Sequence, residues 1–119
     1  MYDHIGLRVA NLDASVKFYS AVLAPLGHVL CSRDDSGAGF GPKGAPALWL
    51  HLSKQPRKDG AHVAFRAPDH QAIKAFHAAG LKAGGRDNGG AGPRLDYSPT
   101  YYAAFLIDPD GNNIEAVCA

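Results

Sequence analysis

Two histidines stand 58 positions apart in matching surroundings, Asp3-His4-Ile5-Gly6-Leu7-Arg8-Val9 and Ala61-His62-Val63-Ala64-Phe65-Arg66-Ala67. Imidazole nitrogens bind Zn²⁺, Ni²⁺, Mn²⁺, Fe²⁺ or Co²⁺, most often beside further imidazoles or carboxylates. Glu115, within Asn113-Ile114-Glu115-Ala116-Val117-Cys118, offers the carboxylate. His51, within Ala47-Leu48-Trp49-Leu50-His51-Leu52-Ser53, offers a third imidazole. Two histidines and one carboxylate with open positions also form the ligand set of non-haem iron oxygenases. A single strand histidine is more often a surface or satisfied core residue. Its recurrence at equivalent places of a repeat is what singles out His4 and His62.

The elements around them repeat as well. At the same offset Arg8 matches Arg66, Ala14 matches Ala72, Phe18 matches Phe76 and Ala21 matches Ala79. Residues 4–10 alternate as a strand, and Asn11 or Asp13 can cap a helix in which Leu12, Val16, Tyr19 and Leu23 share a face. Pro25 and Gly27 end it, and strands are predicted at 28–33, at 40–41 and at 47–53. Lys54 to Gly60, polar and punctuated by Pro56 and Gly60, reads as a linker. The second half repeats the order: a strand at 61–67, a helix opened by Pro68 and running to about Ala79, and strands at 100–108 and 112–118 around the turn Asp108-Pro109-Asp110-Gly111. Arg86 to Pro99, rich in glycine, is expected to be an irregular loop and a lid candidate. The chain therefore reads as an α+β fold of two βαβββ modules, about residues 1–54 and 60–119.

Side chains alternate across a strand, so four strands can be sorted by face. Ile5, Leu7 and Val9, Val63, Phe65 and Ala67, Leu48, Leu50 and Leu52, and Ile114, Ala116 and Cys118 form the apolar sets that pack under the helices. The opposite face collects His4, His62, His51, Glu115, Arg8, Arg66 and Trp49, which is the lining of a cup. Arg8 and Arg66 are placed either to bind an anionic substrate group or to face solvent, and Trp49 to wall the cup. Tyr97, Tyr101 and Tyr102 lie on or beside the glycine-rich segment, with at least one, Tyr101 foremost, expected at the substrate.

The bulk properties narrow the partners. With 119 residues, 46% hydrophobic and 19% charged, the chain suits a compact globular fold. A formal net charge of +1 implies no broad footprint for nucleic acid or an acidic membrane. No apolar run reaches spanning length, and the N-terminal residues enter a strand pattern directly, so no signal peptide and a cytoplasmic location are expected. Cys31 and Cys118 form no CxxC pair and read as small buried apolar residues.

The His4 and His62 segments, the helix bearing Phe18-Tyr19 and Val22-Leu23, and Asp108-Pro109-Asp110-Gly111-Asn112-Asn113-Ile114-Glu115 together resemble the vicinal oxygen chelate superfamily, over nearly the whole chain. Glyoxalase I, bleomycin and fosfomycin resistance proteins and extradiol dioxygenases belong to it. The resemblance implies paired βαβββ modules forming a half-open mixed β-barrel with helices on the outer face, usually in a homodimer. It implies a divalent metal ion (Zn, Ni, Fe or Mn) held by His4, His62 and Glu115. The fourth place falls on His51 in one alignment of the strands and on Trp49, which cannot ligate, in another. The activity it implies is a glyoxalase-like lyase or isomerase acting on a small oxygen-chelating substrate, with Glu115 as ligand and general base. A metal-free binding protein of the bleomycin-binding type and an extradiol-type dioxygenase are the alternatives.

Overall fold

The computed structural model describes residues 1–55 and 60–119. The central part of the expected linker, residues 56–59, lies outside the described residues. Strand β1 (Ile5–Val9) leads to helix α1 (Leu12–Leu23), then β2 (Val29–Arg33), β3 (Gly37–Gly41) and β4 (Leu48–Leu52). The order recurs as β5 (His62–Arg66), α2 (His70–Lys82), β6 (Arg86–Pro93), β7 (Tyr102–Ile107) and β8 (Asn113–Cys118). Each module makes one four-stranded mixed sheet, ordered β1-β4-β3-β2 and β5-β8-β7-β6. In each, the first strand runs parallel to the last and the remaining pairs are antiparallel. This is the expected α+β pair of βαβββ modules, and the two sheets do not close into a barrel.

Local chemistry explains the helix ends. The Asn11 side chain accepts from Ala14 N at 3.1 Å, so Asn11 rather than Asp13 is the cap of α1. Beyond Leu23 a 3-10 turn over Ala24–Leu26 closes on Gly27, whose φ of +90° suits a residue without Cβ. In module two Asp69 caps α2, accepting from Ala72 N at 2.8 Å. Pro68 therefore precedes the cap instead of opening the helix. The helix also runs past Gly80 to Lys82. A Cβ at Gly80 would lie 2.2 Å from Leu106 Cδ1 and 3.0 Å from Val22 Cγ1, so this glycine lets α1, α2 and β7 meet.

One hydrophobic core runs through both modules. Val9, Phe18, Tyr19, Val22, Leu50, Ile73, Phe76, Leu106 and Ile114 are all fully buried in it. The predicted alternation holds in β1, β5 and β8, where Leu7, Val9, Val63, Ile114 and Ala116 face this core. The segment expected to be a loop from Arg86 is instead strand β6, paired with β7 as far as Pro93. Its register slips between Asp87 and Gly89 and again between Gly89 and Gly92, and Gly89 takes a φ of +143°. Bulged, glycine-rich pairing of this kind has no period-2 apolar signal to betray it. The connection from Arg94 to Tyr101 is shorter than the lid expected from the sequence.

Candidate functional site

The registers of the two sheets can be compared directly, because Gly6 and Ala64 are equivalent in the repeat. Gly6 pairs with Trp49 in β4, and Ala64 pairs with Glu115 in β8. Trp49 therefore holds the place in module one that Glu115 holds in module two. His51 lies two residues further, opposite Arg8. The indole of Trp49 crosses to β3, where a Cβ at Gly39 would come within 2.6 Å of it. The imidazole of His51 crosses the other way onto β1, where a Cβ at Gly6 would lie 3.3 Å from Nε2.

In module two the equivalent place is polar and tightly organised. Glu115 is buried, only 2% exposed, on a strand whose neighbours Ile114 and Ala116 fill the core. Its Oε1 stands 3.1 Å from His62 Nε2, and its Oε2 accepts the Tyr101 hydroxyl at 2.5 Å. His62 Nδ1 lies 3.2 Å from the carbonyl oxygen of Asn113. A carbonyl only accepts, so the proton of a neutral His62 sits on Nδ1 and its Nε2 is a bare lone pair. Nε2 lies 3.1 Å from a carboxylate oxygen of Glu115, near enough for one cation to touch both. A positive charge between or upon the two groups, either a proton or a metal cation, stabilises this arrangement. An imidazole that donates its far N–H to a backbone carbonyl is the usual support of a metal-ligating histidine. Two donors bound to one small divalent ion at about 2.0–2.2 Å also stand roughly 3 Å apart. His62 and Glu115 thus fit half of a metal centre.

The other candidates are placed as follows. His4 precedes β1, its side chain 60% exposed and its Nδ1 2.6 Å from Asp3 Oδ1. It borders a cleft with His28 and Ala64, whereas His62 lines a neighbouring cleft with Gly6 and Arg8. Among the described residues no three His, Cys, Asp or Glu side chains gather within metal-binding reach in one chain. Arg66 shares a cleft with Tyr101 and Cys118. Of the three tyrosines, Tyr101 meets the carboxylate and Tyr97 packs edge-on against it with ring centroids 5.0 Å apart. Tyr102 turns away to stack on His70 at the start of α2, 3.7 Å between centroids. The hydrogen bond to Glu115, with some desolvation, pushes the Tyr101 hydroxyl up to about 12. It is therefore a fixed donor to Glu115 throughout the neutral range.

Two residues not singled out by the sequence belong to this surface. Phe105, the cross-strand partner of Glu115, stacks beside His62 with centroids 6.4 Å apart. Arg94 lies over the Phe105 ring at 5.4 Å, held by the carbonyls of Gly90, Gly92 and Pro93. Only the alternation of β7 hinted at Phe105, and nothing local marked Arg94.

The same architecture is found in solved structures. A glyoxalase/bleomycin resistance protein from Albidiferax ferrireducens T118 is 32% identical, with 98% of this chain and 97% of that one covered and a TM-score of 0.85. A putative glyoxalase from Bacillus halodurans shares the fold at 21% identity, covering 100% and 96% of the two chains, TM-score 0.76. A glyoxalase I mutant from Zea mays is 26% identical over 96% of this chain but 44% of its own length, TM-score 0.73. No functionally curated protein matches. The sequence pattern of the Glyoxalase/Bleomycin resistance protein/Dioxygenase superfamily matches residues 2–116. The chain belongs to that superfamily. No helix among the described residues is long and apolar enough to cross a membrane.

Proposed function

We propose that the protein is a divalent-metal-dependent enzyme of the glyoxalase-like lyase or isomerase type, acting on a small substrate with two neighbouring oxygens. Its metal centre is completed between two copies of the chain, His62 and Glu115 coming from one and His4 from the other. The observation that supports this reading is the proximity of His62 Nε2 to Glu115 Oε1, 3.1 Å, with Nδ1 turned to the Asn113 carbonyl. Two ligands do not make a centre, and no third candidate joins them within the chain among the described residues. The outer edges of β1 and β5 have no strand partner among the described residues, which suits a homodimer in which the two cups are shared.

His62 and Glu115, with His4 of the second copy, would hold a divalent ion, which would supply Lewis-acid stabilisation of negative charge on the substrate oxygens. Glu115 is the general base for the proton on the neighbouring carbon. Tyr101 holds the second carboxylate oxygen, so that the first is aimed into the cup. Arg66, in the cleft beside Tyr101, and Arg8, on the opposite sheet, are placed to hold an anionic group of the substrate. Because Trp49 occupies the place equivalent to Glu115, module one brings His4 alone, and the remaining positions go to water or substrate. His51, lying on Gly6, joins the binding surface.

Elemental analysis of tag-free protein reconstituted with each candidate ion tests this. Near-stoichiometric retention through gel filtration, and loss on chelation, is the expected result. Nickel or zinc supports isomerase chemistry, whereas retention of iron or manganese with oxygen uptake points to the dioxygenase class. Trp49 favours a second reading, a metal-free protein that sequesters a planar molecule. Unchanged ligand binding with no ion retained would select it.

A further inference from the structure

Module one carries the indole of Trp49 where module two carries Glu115, and the sequence weakens its own strands to make room for it. Gly6 and Gly39 lie in strand interiors, where glycine has no side chain to pack and loses more conformational freedom on folding than other residues. Both positions sit under a ring. Three atoms of the Trp49 indole would lie 2.6, 2.8 and 2.9 Å from a Cβ at Gly39, so any side chain there would lift the ring. His51 Nε2 and Cδ2 would lie 3.3 and 3.4 Å from a Cβ at Gly6. The two rings lean in opposite directions from one strand, each across a neighbouring strand at a glycine. Trp49 remains partly exposed and His51 exposed. Arg8, the cross-strand partner of His51, stands exposed on the same face.

From this geometry we infer that the cup recognises a planar aromatic carboxylate, its ring stacked on Trp49 and its carboxylate turned to Arg8 and His51. An indole laid against the sheet offers a flat polarisable face, for which an aromatic ring is a better partner than an aliphatic one. A guanidinium at the end of that face reads an anion. Cross-strand pairing places the charge beside His51, on the β1 side of the indole. The inference names the substrate class of the site proposed above. It rests on the cup being the binding site, but not on the metal.

Trp49 is the only tryptophan, so its fluorescence reports on the floor alone. The protein, kept in EDTA, is titrated with benzoate, cyclohexanecarboxylate and benzyl alcohol. These keep ring and charge, charge only, and ring only. Benzoate is expected to give a saturable change, with the other two at least about ten-fold weaker. Gly39→Ala, with unchanged circular dichroism, is expected to weaken benzoate by about ten-fold. Arg8→Gln is expected to weaken benzoate while leaving benzyl alcohol unaffected. Should Gly39→Ala fail to fold, Trp49→Leu read by calorimetry replaces it, with the same expected loss. Equal affinity for benzoate and cyclohexanecarboxylate, or a purely collisional response to benzoate, overturns the inference. Neither outcome touches the metal reading, which fails instead if no ion is retained by the wild-type protein.

Discussion

His62→Ala is expected to lower the affinity for a divalent ion by at least about 100-fold while leaving the fold in place. Removing a partner that merely orients a ligand already costs about 10–100-fold, and a ligand itself costs more. The side chain of His62 is half-exposed, and its aromatic neighbour Phe105 stands at a centroid distance of 6.4 Å, so little packing is lost. The buried Glu115 Oε1 loses its partner, so the variant is expected to be less stable by about 1–3 kcal/mol yet still folded. Chelator competition gives the affinity, and urea unfolding gives the stability. An ion retained at full stoichiometry by this variant would show that the His62–Glu115 pair is a proton-bridged structural contact.

Asp108→Ala is expected to have the largest effect on stability, about 4 kcal/mol. Asp108 is 3% exposed and accepts four hydrogen bonds. Its Oδ1 takes the backbone N–H of Asp110 and of Asn112, each at 2.9 Å. Its Oδ2 takes Asn112 Nδ2 at 2.8 Å and the Tyr19 hydroxyl at 2.5 Å. Tyr19 belongs to α1 of the other module and is fully buried, so its hydroxyl would be left with no partner. Burial, reinforced by the Asp108 carboxylate, holds that hydroxyl well above the ordinary tyrosine range, so it stays a donor. Asp110 adds a second tie, accepting from Ala10 N at 2.8 Å and Ser15 Oγ at 3.1 Å. The Asp-Pro-Asp-Gly-Asn turn is therefore a clasp between modules. Tyr19→Phe, which removes one of the four bonds, should cost only about 1–2 kcal/mol. A loss under about 1 kcal/mol for Asp108→Ala, at unchanged denaturant slope, would mean the turn does not hold the modules together.

The repeat made much of this legible. Strand alternation marked Leu7, Val9, Leu48, Leu50, Val63, Ile114 and Ala116 for the core that they fill with the apolar face of α1, whereas Leu52, at the end of β4, stands exposed. What stayed hidden depends on contacts distant in sequence. The choice between His51 and Trp49 is a matter of register, set by how β1 pairs with β4 across some forty residues, and no local pattern records it. The role of Gly39 appears only when the Trp49 ring is seen above it. Strand β6 was masked by the glycines that let it bulge. The clasp residues announce a turn, but their partners Tyr19 and Ser15 lie in the other module.

The sharpest test of a metal centre shared between chains is complementation. His4→Ala and His62→Ala proteins are each made metal-free, then mixed, unfolded and refolded together. In a heterodimer one cup carries both lesions and the other carries none. Random pairing should therefore restore about one bound ion per four chains, from near zero in either parent. Recovery near that level is the expected result. No recovery, with full dimer exchange shown by mass, would contradict a site built from His4 of one copy and His62 and Glu115 of the other.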